Sequence, residues 1–262
     1  MNFNNKTVWI TGASSGIGEA LVYEFSGLGA KIIISARRAE ELERVKANSS
    51  YPENIVIQPL DLSQHDEIKT IANKVLNNES IDILINNGGI SQRALTKDTP
   101  LEIDKKIMDI NYFGTVCLTK EILPSMLVKK AGHIVTISSL TGKFGAPMRS
   151  AYAASKHALH GFFDTLRSEI WRDNVKISII CPGYVRTNVS INALTASGAA
   201  QNSMDESTDK GMKPEALARH IIKAIKNNKE ELVIGGKETI GVYIKRFFPK
   251  RFSRIIRKTE VK

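Results

Sequence analysis

The chain has 262 residues, 42% hydrophobic and 24% charged, the balance of a globular domain and not of a disordered segment. Its two cysteines, Cys117 and Cys181, stand apart in apolar surroundings, which excludes a disulfide scaffold and a CxxC metal or redox site and fits a reducing, cytoplasmic compartment. The net charge of +10 is concentrated in positions 245–262, which hold eight basic residues and one acid, so the body carries only +3 and gives no sign of nucleic-acid binding.

A strand is expected at residues 7–10, then a turn, Thr11-Gly12-Ala13-Ser14-Ser15-Gly16-Ile17-Gly18, and a helix running to Leu28. Further strands are expected at 32–34, 55–57, 81–85, 133–137, 175–180 and 232–234, with helical stretches between nearly every pair. Long helices are expected over 101–129 and 152–172. The strand runs are continuously apolar, the mark of strands buried on both faces of a parallel sheet. The expected fold is therefore α/β, a Rossmann-type doubly wound, seven-stranded parallel sheet with helices on both faces. One catalytic domain is expected over residues 1–240, with a polar lid at about 186–211 and a tail at 241–262. No apolar run reaches the roughly 18 residues of a membrane span, and the residues before Thr7 read as too few and too polar for a signal peptide.

Gly12, Gly16 and Gly18 fall in a strand–turn–helix setting, where glycine permits tight turning and close approach of a pyrophosphate to free helix N–H groups. The spacing is GxxxGxG, which is neither GxGxxG nor a P-loop. After the second strand come Arg37 and Arg38, where an NAD site would place an acid on the ribose hydroxyls. A guanidinium suits a 2′-phosphate, so the reading favours NADP(H). Tyr152 and Lys156 lie four residues apart on one helical face, and an ammonium near a phenol favours the phenolate. Ser139 stands thirteen residues before Tyr152, just past the fifth strand, where parallel sheets place ligands. His133, His157 and His160 have no Cys, Asp or Glu at metal-ligand spacing, so no metal is expected.

Together, the glycine turn, Asn86-Asn87-Gly88-Gly89, Asn111, Ser139, Tyr152, Lys156 and Pro182-Gly183 resemble the short-chain dehydrogenase/reductase family, over about residues 6–234. The resemblance implies hydride transfer between a nicotinamide and a carbonyl or alcohol carbon. It implies Tyr152 as general acid and Lys156 as the residue that lowers its pKa and holds the nicotinamide ribose. It implies Ser139 on the carbonyl oxygen and Asn111 as the fourth catalytic position, whose backbone holds a relay water. It places Ser14, Ser15 and Ile17 with the glycines at the pyrophosphate, Asp61 at the adenine and Asn87 at the adenosine ribose. Pro182, Gly183, Val185 and Thr187 match the stretch near the carboxamide. Two departures stand out: Gly88 where the family has Ala, and Ser14 where many NADP users have Lys or Arg. Leu140, Phe144 and Met148 are expected to line the substrate pocket with the lid. A homodimer or homotetramer through the two long helices is implied, and a lipophilic small-molecule carbonyl or alcohol substrate, from likeness to a branch with membrane-associated members. The rival reading is a non-catalytic dinucleotide sensor or scaffold on the same fold.

In the tail, Ile240, Tyr243, Ile244, Phe247 and Phe248 recur at helical spacing, Pro249 breaks the run, and Phe252, Ile255 and Ile256 form a second stripe among basic residues. Two readings stay open: peripheral contact with an anionic membrane, or a helix docked on its own body or a dimer mate.

Overall fold

Each apolar run becomes a strand whose alternate residues feed two different cores. In β1 (Thr7–Thr11), Val8 and Ile10 face one layer of helices and Trp9 faces the other, all fully buried. The Trp9 indole N–H donates to Ser35 Oγ at 2.9 Å, so its one polar group is satisfied in the interior. The computed structural model describes residues 2–258, so Glu260 and Lys262 of the basic tail lie outside them.

In chain order the elements are β1, α1 (Gly16–Gly27), β2 (Lys31–Ser35), α2 (Ala39–Ala47), β3 (Ile55–Ile57), α3 (His65–Leu76), β4 (Ile83–Asn86), α4 (Leu101–Met108), α5 (Thr115–Lys129), β5 (Gly132–Ile137), α6 (Ser150–Glu169), β6 (Val175–Pro182), α7 (Glu206–Asp209), α8 (Pro214–Lys226), β7 (Glu231–Ile234), α9 (Ile240–Phe247) and α10 (Pro249–Ile256). The strands form one seven-stranded sheet in the order β3-β2-β1-β4-β5-β6-β7, and every pair is parallel. The expected fold class is the observed one. Strand order reverses between β1 and β4, which opens a crevice at their carboxyl ends.

The helix expected over 101–129 is interrupted. Residues Asp109–Gly114 form a π-helical turn between α4 and α5, and Asn111 lies in it. Such a turn shifts the hydrogen-bond ladder locally and recurs at functional sites.

Among the described residues, no helix is long and apolar enough to cross a membrane. The tail docks through one face. Phe252 of α10 is buried against Leu140 and Phe144, its ring 5.0 Å from that of Phe144, with Val242, Ile244 and Ile256 packed around them. The opposite faces of α9 and α10 leave Ile240, Tyr243, Phe247, Phe248 and Ile255 more than half exposed.

Candidate active site

The turn after β1 is shaped by close backbone contact. Gly12 and Gly16 have φ of +63° and +59°, a region that L side chains rarely adopt. A methyl group at Gly18 would lie 2.2 Å from the Gly12 carbonyl oxygen, so only glycine fits. Ser15 caps α1 from an extended conformation and its hydroxyl makes no capping bond, leaving the helix N–H groups for an anion. This cradle fits the pyrophosphate of a dinucleotide. Asn87 staples it to β4: its side-chain amide donates to the carbonyls of Thr11 at 3.0 Å and Gly12 at 3.1 Å. Gly88 has a local reason as well, since an added methyl would lie 2.6 Å from Leu62 Cδ1.

A cleft of about 870 Å³ opens beside the cradle, lined by Ser15, Gly16, Arg38, Arg44, Arg186 and Thr187 among others. Arg37 and Arg38 are both exposed in the turn after β2, and Arg38 lines this cleft. Arg44 was not singled out from the sequence. It pairs with Glu19 at 2.7 Å and donates to the Ser14 carbonyl at 3.2 Å, bracing α2 against the glycine turn. Asp61 lies beyond β3, accepting from the backbone and hydroxyl of Ser63 at 2.9 Å each. Pro182 ends β6, and the Gly183 N–H donates to Ile234 O at 2.8 Å. Val185 is buried and bridges to Met212, and Thr187 faces the glycine turn, its methyl 2.9 Å from where a Gly16 side chain would begin.

On the other side of the crevice stand the residues of the YxxxK pattern. Ser139 follows β5 in extended backbone, and its hydroxyl oxygen accepts from Thr141 N at 3.2 Å and Thr141 Oγ1 at 3.0 Å. Its own O–H stays free to donate. Lys156, 5% exposed, donates to Ile137 O at 2.8 Å, and its Nζ lies 5.7 Å from the centre of the Tyr152 ring. Burial pulls the Lys156 ammonium down to about 8. Burial also holds the Tyr152 phenol above its ordinary value, opposed by the Arg149 guanidinium, the Ser139 hydroxyl and Arg93. The Arg149 and Arg93 guanidinia thus favour the phenolate, and the Lys156 ammonium, bonded to a strand carbonyl, lies beside the same ring. Asn111 is fully buried; its side chain accepts from Ile90 N at 2.8 Å and donates to Ile90 O at 2.9 Å and Ser155 Oγ at 3.0 Å. That ties the π-helical turn to the loop after β4 and to α6, beneath Tyr152.

Segment 186–211 folds back over the body. Leu194 pairs with Gln92, and the Arg93 guanidinium donates to Asp205 from Nε at 2.9 Å and from Nη2 at 2.5 Å, both side chains almost fully buried. Leu140 and Phe144, the residues expected to line the substrate pocket, pack against Phe252. Met148 adopts φ of +61° and accepts from Ala94 N at 3.2 Å, next to Arg149.

Beneath Ser138, ligand atoms of His160, Cys181 and Glu231 lie within 4.8 Å of one another. They come from α6, β6 and β7, so sequence spacing gave no hint of the grouping. Lys143 bonds Glu231, and burial pushes the Cys181 thiol up to about 12.

The family model described as short chain dehydrogenase matches residues 6–197. The chain belongs to the short-chain dehydrogenase/reductase family. It is 44% identical over 266 residues to a Drosophila melanogaster protein named "Dehydrogenase/reductase SDR family protein 7-like", covering 98% of this chain and 81% of that one. It is 42% identical over 261 residues to "Dehydrogenase/reductase SDR family member 7B" of Rattus norvegicus, covering 96% and 80%. A solved short-chain dehydrogenase from Streptomyces avermitilis superposes with a TM-score of 0.84 at 27% identity, over 99% of this chain and 100% of that one. This short-chain dehydrogenase/reductase is accordingly an oxidoreductase acting with a nicotinamide dinucleotide on CH–OH or carbonyl groups.

Proposed function

We propose that the protein is an NADPH-dependent reductase of ketones or aldehydes with a lipophilic portion. The observation that carries this reading is the convergence of Ser139, Tyr152 and Lys156 on the crevice that also holds the glycine cradle. When bound, the nicotinamide supplies the hydride. Ser139, with its oxygen accepting from Thr141, aims its free proton at the carbonyl oxygen and stabilises the charge that develops there. Tyr152 gives the phenolic proton to that oxygen, helped by the positive charges that favour its anion. Lys156 keeps two N–H donors beyond its bond to Ile137 O, available to ribose hydroxyls. Asn111 fixes the π-helical turn at the foot of a proton path to Lys156. Gly12, Ser14, Ser15, Gly16, Ile17 and Gly18 would hold the pyrophosphate, with Asp61 and Asn87 on the adenosine side and Pro182, Gly183, Val185 and Thr187 at the carboxamide. Arg37 and Arg38 would meet the 2′-phosphate. Segment 186–211, with Leu140, Phe144 and Met148, would line the substrate pocket. Tyr152→Phe keeps the ring but removes the proton, so kcat for carbonyl reduction should fall by at least about 10²-fold with NADPH affinity retained. Turnover near the wild-type rate would overturn the assignment.

The docked tail supports a second statement about location. Its exposed apolar side chains lie among Lys245, Arg246, Lys250, Arg251 and Arg254, a surface suited to anionic lipid headgroups. We infer that the protein touches a membrane surface there, with the docked face preserving the body's packing. Cosedimentation with anionic vesicles should be lost on changing Phe247 and Phe248 to serine, and should weaken with salt. Absence of cosedimentation by the unmodified protein at low salt would remove this inference. A homodimer through the faces of α4, α5 and α6, where Phe113 is 51% exposed, is the assembly the family resemblance favours; a monomer by light scattering would exclude it.

A further inference from the structure

Two buried arginines share one carboxylate beside Tyr152. Arg93 spends its guanidinium fully: Nε and Nη2 on Asp205 Oδ2, Nη1 on Ser91 Oγ at 3.0 Å and Gln92 O at 2.6 Å. Asp205 is occupied as well, its other oxygen accepting from Gln201 Nε2 at 2.8 Å. Arg149 is left over. Its Nη2 stands 3.6 Å from Asp205 Oδ2, beyond a hydrogen bond, and its Nε is buried without a partner. Among the described residues its guanidinium makes no hydrogen bond, and its nearest aromatic contact is the Tyr184 ring, with Cζ 5.8 Å from the centroid. The side chain is only 11% exposed.

The position of this surplus charge matters as much as its existence. Arg149 is the residue at the mouth of α6, one turn before Tyr152. Its backbone is held on both sides: Met148 is fixed in the left-handed region, and the Gln92 side chain accepts from Ala151 N at 2.9 Å. A guanidinium taken from water whose nearby carboxylate is already hydrogen-bonded to a second arginine is costly, and five donors in a fixed fork match the paired oxygens of a carboxylate or phosphate. An anion held by Arg149 therefore lies one helical turn from Tyr152.

We propose that Arg149 receives an oxyanion, carboxylate or phosphate, carried by the carbonyl substrate a short distance from its C=O. This rests on the reductase reading and deepens it: the substrate is amphipathic, with its charged group at the start of α6. Arg149 acts here as a binding residue.

The test compares matched pairs, oxo acids against their methyl esters and a hydroxyketone against its phosphate monoester, by NADPH oxidation with the whole protein. The charged member should win in kcat/KM by at least about tenfold in one of the two series, which also tells carboxylate from phosphate. Arg149→Met should reduce that preference to near unity, Arg149→Lys should keep part of it, and NADPH affinity measured on each variant reports correct folding. A second arm needs no turnover: oxalate and inorganic phosphate are titrated calorimetrically into the NADP⁺-loaded protein. At least one should bind, and Arg149→Met should bind it at least about tenfold more weakly. The proposal is overturned if neutral members are preferred or equal, if Arg149→Met keeps the wild-type preference, or if neither anion binds. Loss of turnover with every carbonyl would sink the reductase reading, while the anion titration still decides Arg149.

Discussion

The two sides of the crevice are built by different means. The cofactor side, β1 through α2, is shaped by backbone: two left-handed glycines, a third packed against a carbonyl, and an asparagine stapling adjacent loops. The substrate side, from the end of β4 to α8, is shaped by side chains reaching across long stretches of sequence. Arg93 meets Asp205, Gln92 meets Ala151, and Asn111 meets Ser155. A backbone-built site recognises what every dinucleotide has in common. A side-chain-built site can be retuned one residue at a time, which is where substrate choice resides.

The largest test of this contrast removes Asp205. Asp205→Ala leaves Arg93 and Arg149 buried without a carboxylate, at a cost of about 3–5 kcal/mol. Hydrogen exchange should rise sharply in residues 186–211 and 91–94 and stay unchanged in β1 and β2. Uniform acceleration through the sheet would show that the two sides are one cooperative unit.

Acid should act in the same direction. Burial holds His133 and His160 down at about 4, against an ordinary value of 6.5. In each, Nε2 faces a serine hydroxyl, at 2.8 Å and 3.1 Å, and Nδ1 has no hydrogen-bond partner; a second proton on His133 would be an unpaired buried donor, and one on His160 would face Glu231 only at 3.8 Å, with the Lys143 ammonium opposing it. Between pH 6.5 and 4 the unfolded chain binds more protons than the folded one, so stability is full above 6.5 and is lost as pH falls toward 4. A depression of this size is worth about 3 kcal/mol per imidazole. Both histidines belong to β5 and α6, so melting curves should fall over that window, with exchange rising first on the substrate side.

The smallest effect lies on the cofactor side and should touch affinity alone. Arg38→Ala should weaken NADPH by about 2 kcal/mol relative to NADH, with the melting temperature of the free protein unchanged. Arg37→Ala, measured in parallel, sharpens the comparison, because both are exposed and Arg38 lines the cleft. Equal losses for the two cofactors would assign the arginines to general structure.

The same contrast governs how much could be read from the chain. The sheet was legible because parallel strands buried on both faces leave short unbroken apolar runs. The glycine turn and the Tyr152–Lys156 pair were legible because their parts are local. Arg149 stood in plain view three residues before Tyr152, yet nothing local distinguishes it from a solvated arginine. Its meaning depends on Arg93 having already taken Asp205, 112 residues away. Leu140 and Phe144 were apolar residues near Ser139, and sequence could not say whether a ligand or another part of the chain would cover them. Phe252 does. The π-helical turn at Asn111 was hidden because its residues read as one uninterrupted helix.

That Phe252 contact orders events during synthesis. Ser139 and Tyr152 leave the ribosome about a hundred residues ahead of the ring that seats against Leu140 and Phe144. At about 5–20 residues per second, the nascent β5–α6 region spends roughly 5–20 s with an apolar socket open to water. A growing chain therefore displays a sticky, unfinished floor next to its future reaction centre, and the helix that covers it, α10, emerges about a hundred residues later.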